Sequence, residues 1–109
     1  DTIFTHFNAD MNTDHVAASR ISRTAGRHCK NIIQFQSNGY VLENVFYPTF
    51  FVDISDFVEK KRQALACYGQ EHNRFDSLFE VSIDRNRVWG YPNKCAYAEG
   101  FNVIKILME

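Results

Sequence analysis

The sequence predicts an α/β fold, because strand-like and helix-like segments alternate along the chain. Apolar segments of strand length lie at residues 2–6, 31–37, 49–54 and 99–107, and segments with helical spacing lie between them. The chain has 109 residues, of which 45% are hydrophobic and ten are Phe. This length suits one domain at most, and this composition excludes a disordered chain.

The first strand and the first helix are predicted by local signals. TIFTH at residues 2–6 reads as a short buried strand that ends in polar residues. Asn12 or Thr13 can cap a helix by accepting a hydrogen bond from an early backbone N–H, and Asp14 then lies in the first turn, where the helix dipole favours a carboxylate. Gly26 ends this helix. The predicted apolar stripe consists of Ala17, Ile21 and Ala25.

The middle of the chain contains two further predicted strands. NIIQFQS at residues 31–37 is the second strand, and Asn38-Gly39 after it is a strong turn signal. A segment rich in aromatic and β-branched residues follows, and Pro48 interrupts it. We therefore expect the third strand at about residues 49–54.

Two helices and a last strand complete the predicted order. Ser55 is expected to cap the second helix, which Gly69 ends. A third helix is expected over residues 76–89, where Gly90 stops it. EGFNVIKIL at residues 99–107 has the length and the β-branched content of a buried strand.

Charge and cysteine content exclude several classes of protein. The formal net charge of −1 gives no electrostatic footprint for nucleic acid. The cysteines, three in number, are far apart and form no CxxC pair, which argues against a disulfide framework and favours a reduced, cytoplasmic chain. The chain opens at Asp1 and enters an apolar strand almost at once, so we expect a fragment, a processed product or one chain of a split protein.

The stretch THFNADMNTDH at residues 5–15 is the candidate site. Its metal-capable side chains are His6, Asp10, Asp14 and His15. A catalytic zinc uses about three protein ligands of the His, Asp or Glu type. Asp14 and His15 are adjacent, so on a helix they point about 100° apart, and the favoured division is His15 as ligand with Asp14 orienting it. The alternative is a capped helix with surface histidines.

Three motifs in the right order resemble the C-terminal half of the PIG-L/LmbE family of zinc-dependent N-deacetylases. THFNADMNTDH resembles the family's Thr-His strand end followed by Asp-x-Asn-x-Asp-His. FYPTFFVDISDFVEKKRQALACYGQ at residues 46–70 resembles its Phe-x-Pro, Asp-Ile-Ser and Tyr-x-Gln segments, and AEGFNVIKI at residues 98–106 resembles its closing strand. The resemblance implies a Rossmann-like three-layer α/β/α sandwich, with residues 1–109 as the C-terminal part of a single deacetylase domain.

The resemblance also implies a zinc site that this chain fills only in part. In the family, a His-Pro-Asp-Asp motif supplies two zinc ligands and the general base, and the later Asp-His pair supplies a third ligand, which matches His15. This chain contains no His-Pro-Asp-Asp. The implied activity is removal of acetyl from an N-acetylated amino sugar of the GlcNAc type, or from a glycoside bearing one. The 109-residue chain is not expected to be active alone.

Five further positions receive roles from the resemblance, each with a structural alternative. Asn12 replaces a family histidine and either donates to the oxyanion or only caps the helix. The proton donor to the leaving group is His6 or a group outside the chain. Asp10 orients a substrate hydroxyl or a group that contacts a ligand, or it only forms an Asx turn. Gln70 lines the cleft or caps a helix end, and Glu99 contacts substrate or is a structural carboxylate.

The expected partners follow from the same resemblance. The substrate is an N-acetylated sugar, and a second polypeptide or a missing N-terminal half covers the exposed edge of the sheet. Self-association into a homo-oligomer is the other way to cover that edge. The alternative function is a non-catalytic binding or scaffold fragment, which would hold no metal and would bind a partner chain.

Overall fold

A computed structural model describes residues 1–37, 39, 42–72 and 76–109, with side chains for all of these except 69–72 and 76–79. The described chain forms a mixed α/β fold with a four-stranded mixed sheet and three α-helices. The strands are β1 (Thr2–His6), β2 (Asn31–Phe35), β3 (Phe50–Asp53) and β4 (Ala98–Lys105). The α-helices are α1 (Thr13–Ala25), α2 (Val58–His72) and α3 (Asp76–Gly90), and one-turn 3₁₀ helices span Ser55–Phe57 and Tyr91–Asn93.

The sheet has the strand order β1-β2-β4-β3. β1 and β2 are parallel, with Ile3 opposite Ile32 and His6 opposite Phe35, and β2 and β4 are antiparallel. Because parallel neighbours need a crossover connection, α1 between β1 and β2 completes a β-α-β unit. None of the described helices is both long enough and apolar enough to cross a membrane.

The chain divides into two compact units, each with its own packing. The first unit is Asp1–Phe50 with Phe101–Glu109, and the second is Phe51–Gly100. Ile32 and Ile33 of β2 are buried in the first unit, and Ile83 of α3 is fully buried in the second. Whether residues 1–109 are part of one larger deacetylase domain stays a prediction.

The packing of α1 differs from its predicted apolar stripe. Ile21 is 67% exposed, and Ala17 and Ala25 are exposed too. The buried side of the helix carries Ser19, whose Oγ accepts a 3.3 Å hydrogen bond from Gln34 Nε2. The stripe was therefore the wrong face of the helix, because a hydrogen-bonded serine, rather than the apolar residues, faces β2.

The boundaries of α1 are those predicted. Asn12 is its N-cap and Gly26 its C-cap. A Cβ at Gly26 would lie 2.9 Å from the backbone carbonyl oxygen of Ser22 and would displace the end of the Ile3 side chain, so this close approach favours glycine. Asn38, half of the predicted Asn38-Gly39 turn, lies outside the described residues.

Two predictions about α2 were wrong. Ser55 does not cap the helix, because it lies in a 3₁₀ turn and donates from both its backbone N–H and its hydroxyl to Asp53 Oδ1, at 2.9 and 2.6 Å. Gly69 does not end the helix, which continues to His72. Glycine is tolerated inside a helix at a cost of about 1 kcal/mol relative to alanine, so a glycine alone does not fix a helix end. α3 ends at Gly90, as predicted.

Candidate metal centre

The candidate site lies where β1 ends and α1 begins, within the first unit. His6 is the last residue of β1, and His15 is the third residue of α1. Asn12 Oδ1 accepts hydrogen bonds from the backbone N–H groups of Asp14 and His15, at 2.9 and 3.4 Å. The predicted cap is thus confirmed, and it places His15 in the first turn of the helix.

The loop before the helix is an Asx turn formed by Asp10. Its Oδ1 accepts a 2.8 Å hydrogen bond from the backbone N–H of Asn12, as the structural alternative for Asp10 predicted. The Asp10 side chain is only 1% exposed. A buried carboxylate needs hydrogen-bond donors or a cation to compensate for the loss of water, so the local folding of this loop fixes a charged group beside the helix.

His6, Asp10 and His15 form a group that could hold a metal ion. Each offers one ligand atom, and these atoms all lie within 4.8 Å of one another. Imidazole nitrogen and carboxylate oxygen are donors that zinc and other first-row divalent ions accept. Of the four metal-capable side chains in residues 5–15, the structure brings these three together, whereas Asp14 is exposed.

The carboxylate that contacts His15 belongs to Asp10 and not to Asp14, the residue before His15 in the sequence. Asp10 Oδ2 lies 3.1 Å from His15 Nδ1, and the His15 side chain is 25% exposed. The sequence favoured Asp14 as the orienting residue because it adjoins His15. The Asx turn instead brings the carboxylate from five residues earlier to the imidazole.

His6 stacks on His15, with ring centroids 4.0 Å apart and an interplanar angle of 7°. Its ring also contacts Phe35, with centroids 4.8 Å apart. Partial burial lowers the pKa of His6 below its ordinary value of 6.5, the nearby His15 lowers it further, and Asp10 opposes the shift. His6 is therefore a mainly neutral imidazole at neutral pH.

Ser37 joins the two histidines, and the sequence analysis missed it. Its Oγ lies 3.4 Å from His6 Nδ1 and 3.3 Å from His15 Nδ1. The parallel register places His6 opposite Phe35, so polar residues just beyond β2 meet the end of β1. The rule that parallel strands end at one edge could have identified Ser37.

Two predicted site residues belong to the second unit. Glu99 in β4 forms an ion pair with Lys61 Nζ at 2.7 Å and its side chain is 36% exposed, so the alternative of a buried structural carboxylate was wrong about burial. The side chain of Gln70 lies outside the described ones. The substrate contacts expected of both residues stay predictions.

Comparison with known proteins relates the fold to two solved structures. The conserved protein TT1542 from Thermus thermophilus matches with a TM-score of 0.79 and 22% identity. GalB, the 4-carboxy-2-hydroxymuconate hydratase from Pseudomonas putida, matches with a TM-score of 0.73 and 20% identity. Each match covers 99% of this chain and 53% of the other, so this chain spans about half the length of both proteins. No protein-family model and no curated protein matches the chain.

Proposed function

We propose that this chain is the C-terminal part of a zinc-dependent N-deacetylase that removes acetyl from an N-acetylated amino sugar. The observation that carries the proposal is His15 at the start of α1, with the Asp10 carboxylate 3.1 Å from its Nδ1 and the His6 ring stacked on it. Sites in α/β folds gather where strands end and helices begin. The resemblance to the PIG-L/LmbE motifs supplies the reaction class and the Rossmann-like sandwich of which this sheet would be a part.

The donors present fit zinc, with His15 as the ligand from this chain. Imidazole nitrogen is a common zinc ligand, and a carboxylate beside it is the usual companion of such a ligand. The remaining ligands and the general base would come from a His-Pro-Asp-Asp segment outside these residues. When bound, Zn²⁺ supplies Lewis acidity, which lowers the pKa of water toward about 7 and polarises an amide carbonyl.

Asn12 and His6 are the residues of this chain that would act on the substrate. The helix cap uses Asn12 Oδ1, so the amide N–H groups of the same side chain can donate to an oxyanion. Capping and oxyanion stabilisation are therefore compatible roles for one residue. His6, a mainly neutral imidazole, can accept a proton at a ring nitrogen and transfer it to the departing amine nitrogen.

Acetate release is the experiment that tests this function. The chain is combined with a polypeptide that carries the His-Pro-Asp-Asp segment, and acetate release from an N-acetylglucosamine glycoside is measured with added Zn²⁺. His15→Ala should abolish the release. His28→Ala, at an exposed histidine outside the site, is the matched control and should leave it unchanged. Equal rates for the His15 variant and the unmodified protein would remove His15 from the mechanism.

A hydratase is the second candidate, and the fold of GalB is the observation that favours it. Hydration of a carbon–carbon double bond also consumes an activated water molecule, so the same group of residues could support it. A hydratase would add water to an unsaturated carboxylic acid and release no acetate. Product analysis with both substrate types separates the two reactions.

A non-catalytic scaffold is the remaining alternative. β1 is the terminal strand of the sheet in the described part of the chain, so its outer edge can pair with an N-terminal half, a partner polypeptide or a second copy. Sedimentation and metal analysis distinguish the cases. Purified protein that carries no metal and holds a tight polypeptide partner favours the scaffold, whereas stoichiometric zinc lost in His15→Ala favours the enzyme.

A further inference from the structure

Each carboxylate oxygen of Asp10 lies beside a hydrogen-bonding group. Oδ1 accepts from the backbone N–H of Asn12 at 2.8 Å, and Oδ2 lies 3.1 Å from His15 Nδ1. The side chain of Asn12 in turn accepts hydrogen bonds from the backbone N–H groups of Asp14 and His15. The Asx turn, the helix cap and the His15 ring are therefore connected through consecutive hydrogen bonds.

The contact with Asp10 determines where the proton of His15 lies. An ionised carboxylate has no proton to donate, so the ring nitrogen facing it must be the donor. In a neutral imidazole only one nitrogen carries hydrogen, which leaves the lone pair on the other. For a neutral His15 ring beside an ionised Asp10, this contact selects the Nδ1–H tautomer, with the lone pair on Nε2.

We propose that Asp10 is a positioning residue that fixes this tautomer of His15 and so assigns Nε2 as the metal ligand. This inference rests on the proposed metal-binding function of His15. It favours contact with a ligand over contact with a substrate hydroxyl for Asp10, since the carboxylate is buried and its oxygens contact the turn and the imidazole. A carboxylate in this position orients the ring and raises the basicity of the ligand nitrogen.

Asp10→Asn is a sharp test because the two oxygens have different partners. Asparagine keeps an oxygen for the N–H of Asn12, which preserves the Asx turn, and must then present its amide N–H group to His15 Nδ1. That nitrogen becomes the acceptor, and the ring proton moves to Nε2. Asp56→Asn is the control, because it removes the same charge at an exposed position in the other unit.

The tautomer is read from the ring-nitrogen NMR spectrum of the full chain labelled with ¹⁵N-histidine. We expect a protonated Nδ1 and an unprotonated Nε2 for His15 in the unmodified chain and in Asp56→Asn, and the reverse in Asp10→Asn. A protonated Nε2 in the unmodified chain would overturn the proposal, and this result requires no variant to fold. An unchanged tautomer in folded Asp10→Asn would overturn it as well.

Zn²⁺ titration of the same three chains, each combined with the polypeptide that carries the His-Pro-Asp-Asp segment, gives the second readout. Asp10→Asn should lower the zinc affinity about 10- to 100-fold, the usual effect of losing such a partner, and Asp56→Asn should leave it unchanged. Equal affinities for Asp10→Asn and the unmodified chain, or loss of the Nδ1 proton when zinc binds, would overturn the positioning role. An Nδ1–H tautomer in a combined protein that binds no zinc would instead contradict the proposed function and leave the Asp10–His15 assignment intact.

Discussion

The imidazole rings of His6 and His15 are stacked, with centroids 4.0 Å apart and planes only 7° from parallel. An imidazole nitrogen donates its lone pair within the plane of its ring, and a zinc ion lies about 2.0–2.1 Å from that nitrogen. Two nearly parallel rings at this separation do not direct their lone pairs to one point. The stack is therefore compatible with the proposed division, in which His15 is the ligand and His6 transfers a proton.

His6→Phe separates these two roles. Phenylalanine keeps an aromatic face against His15 but has no nitrogen, so zinc affinity should change little, while acetate release by the combined protein should fall about 10²- to 10⁴-fold, as expected for loss of a proton-transfer group. His15→Phe should instead abolish zinc binding. Zinc titration and the acetate assay give both values. If His6→Phe loses zinc as completely as His15→Phe, both rings are ligands and this division of roles is wrong.

Asn12 allows the helix cap to be separated from the oxyanion donor. Asn12→Ala removes the cap and should lower the free energy of unfolding by about 1 kcal/mol, measured by urea denaturation. Asn12→Asp keeps a capping oxygen but has no amide N–H, so stability should be retained while the acetate-release rate falls about 10²- to 10³-fold. An Asn12→Asp protein with an unchanged rate would show that Asn12 is only a cap.

Ile83 is the side chain whose truncation should most affect the second unit. It is 0% exposed, so Ile83→Ala leaves a cavity and should lower the free energy of unfolding by about 2–5 kcal/mol. Val88 lies on the same helix but is 68% exposed, and Val88→Ala should change stability by less than about 0.5 kcal/mol. Urea denaturation of both variants checks the packing of α3. Similar losses for the two substitutions would contradict it.

Asp53 should contribute to the acid sensitivity of the second unit. Hydrogen bonds from the hydroxyl and the backbone N–H of Ser55 lower the pKa of Asp53 below its ordinary value of 3.8. Because the folded-state pKa is depressed, this contribution to stability is present above the unfolded-state pKa and is lost as the pH falls through the folded-state pKa.

Carboxyl NMR titration of Asp53 checks that shift. Ser55→Ala removes the hydroxyl donor but keeps the backbone N–H, so the pKa of Asp53 should rise part of the way to its ordinary value. Ser37→Ala, which changes a hydroxyl in the other unit, is the control and should leave the titration of Asp53 unchanged. A pKa of Asp53 at its ordinary value in the unmodified chain would contradict the geometry of this turn.

The sequence predicted those features of the fold that depend only on residues close together in the chain. The cap at Asn12 and the stop at Gly26 fixed the limits of α1, because each acts within one helical turn. The buried face of α1 could not be predicted in the same way. That face depends on how closely the helix approaches β1 and β2. The small residues Ser19 and Gly26 are buried there, whereas the larger and more apolar Ile21 is exposed.

The sequence identified the residues of the candidate site, but it did not predict which of them contact one another. His6, Asp10 and His15 stand out in sequence as metal-capable residues within a polar stretch. The partner of His15 depends on an Asx turn that returns Asp10 to the helix, and adjacency in sequence pointed instead to Asp14. Ser37 comes from a different strand, and only the parallel register of β1 and β2 brings it to the histidines.

Binding of Zn²⁺ by His15 is the central claim, and direct observation of its ring nitrogens tests it. Zn²⁺ is added to the ¹⁵N-histidine-labelled chain combined with the polypeptide that carries the His-Pro-Asp-Asp segment, and the ring resonances of His15 and His28 are followed together. We predict that His15 Nε2 shifts strongly on zinc binding while its Nδ1 keeps its proton and His28 is unchanged. A His15 ring that stays unaltered at saturating zinc would contradict the account.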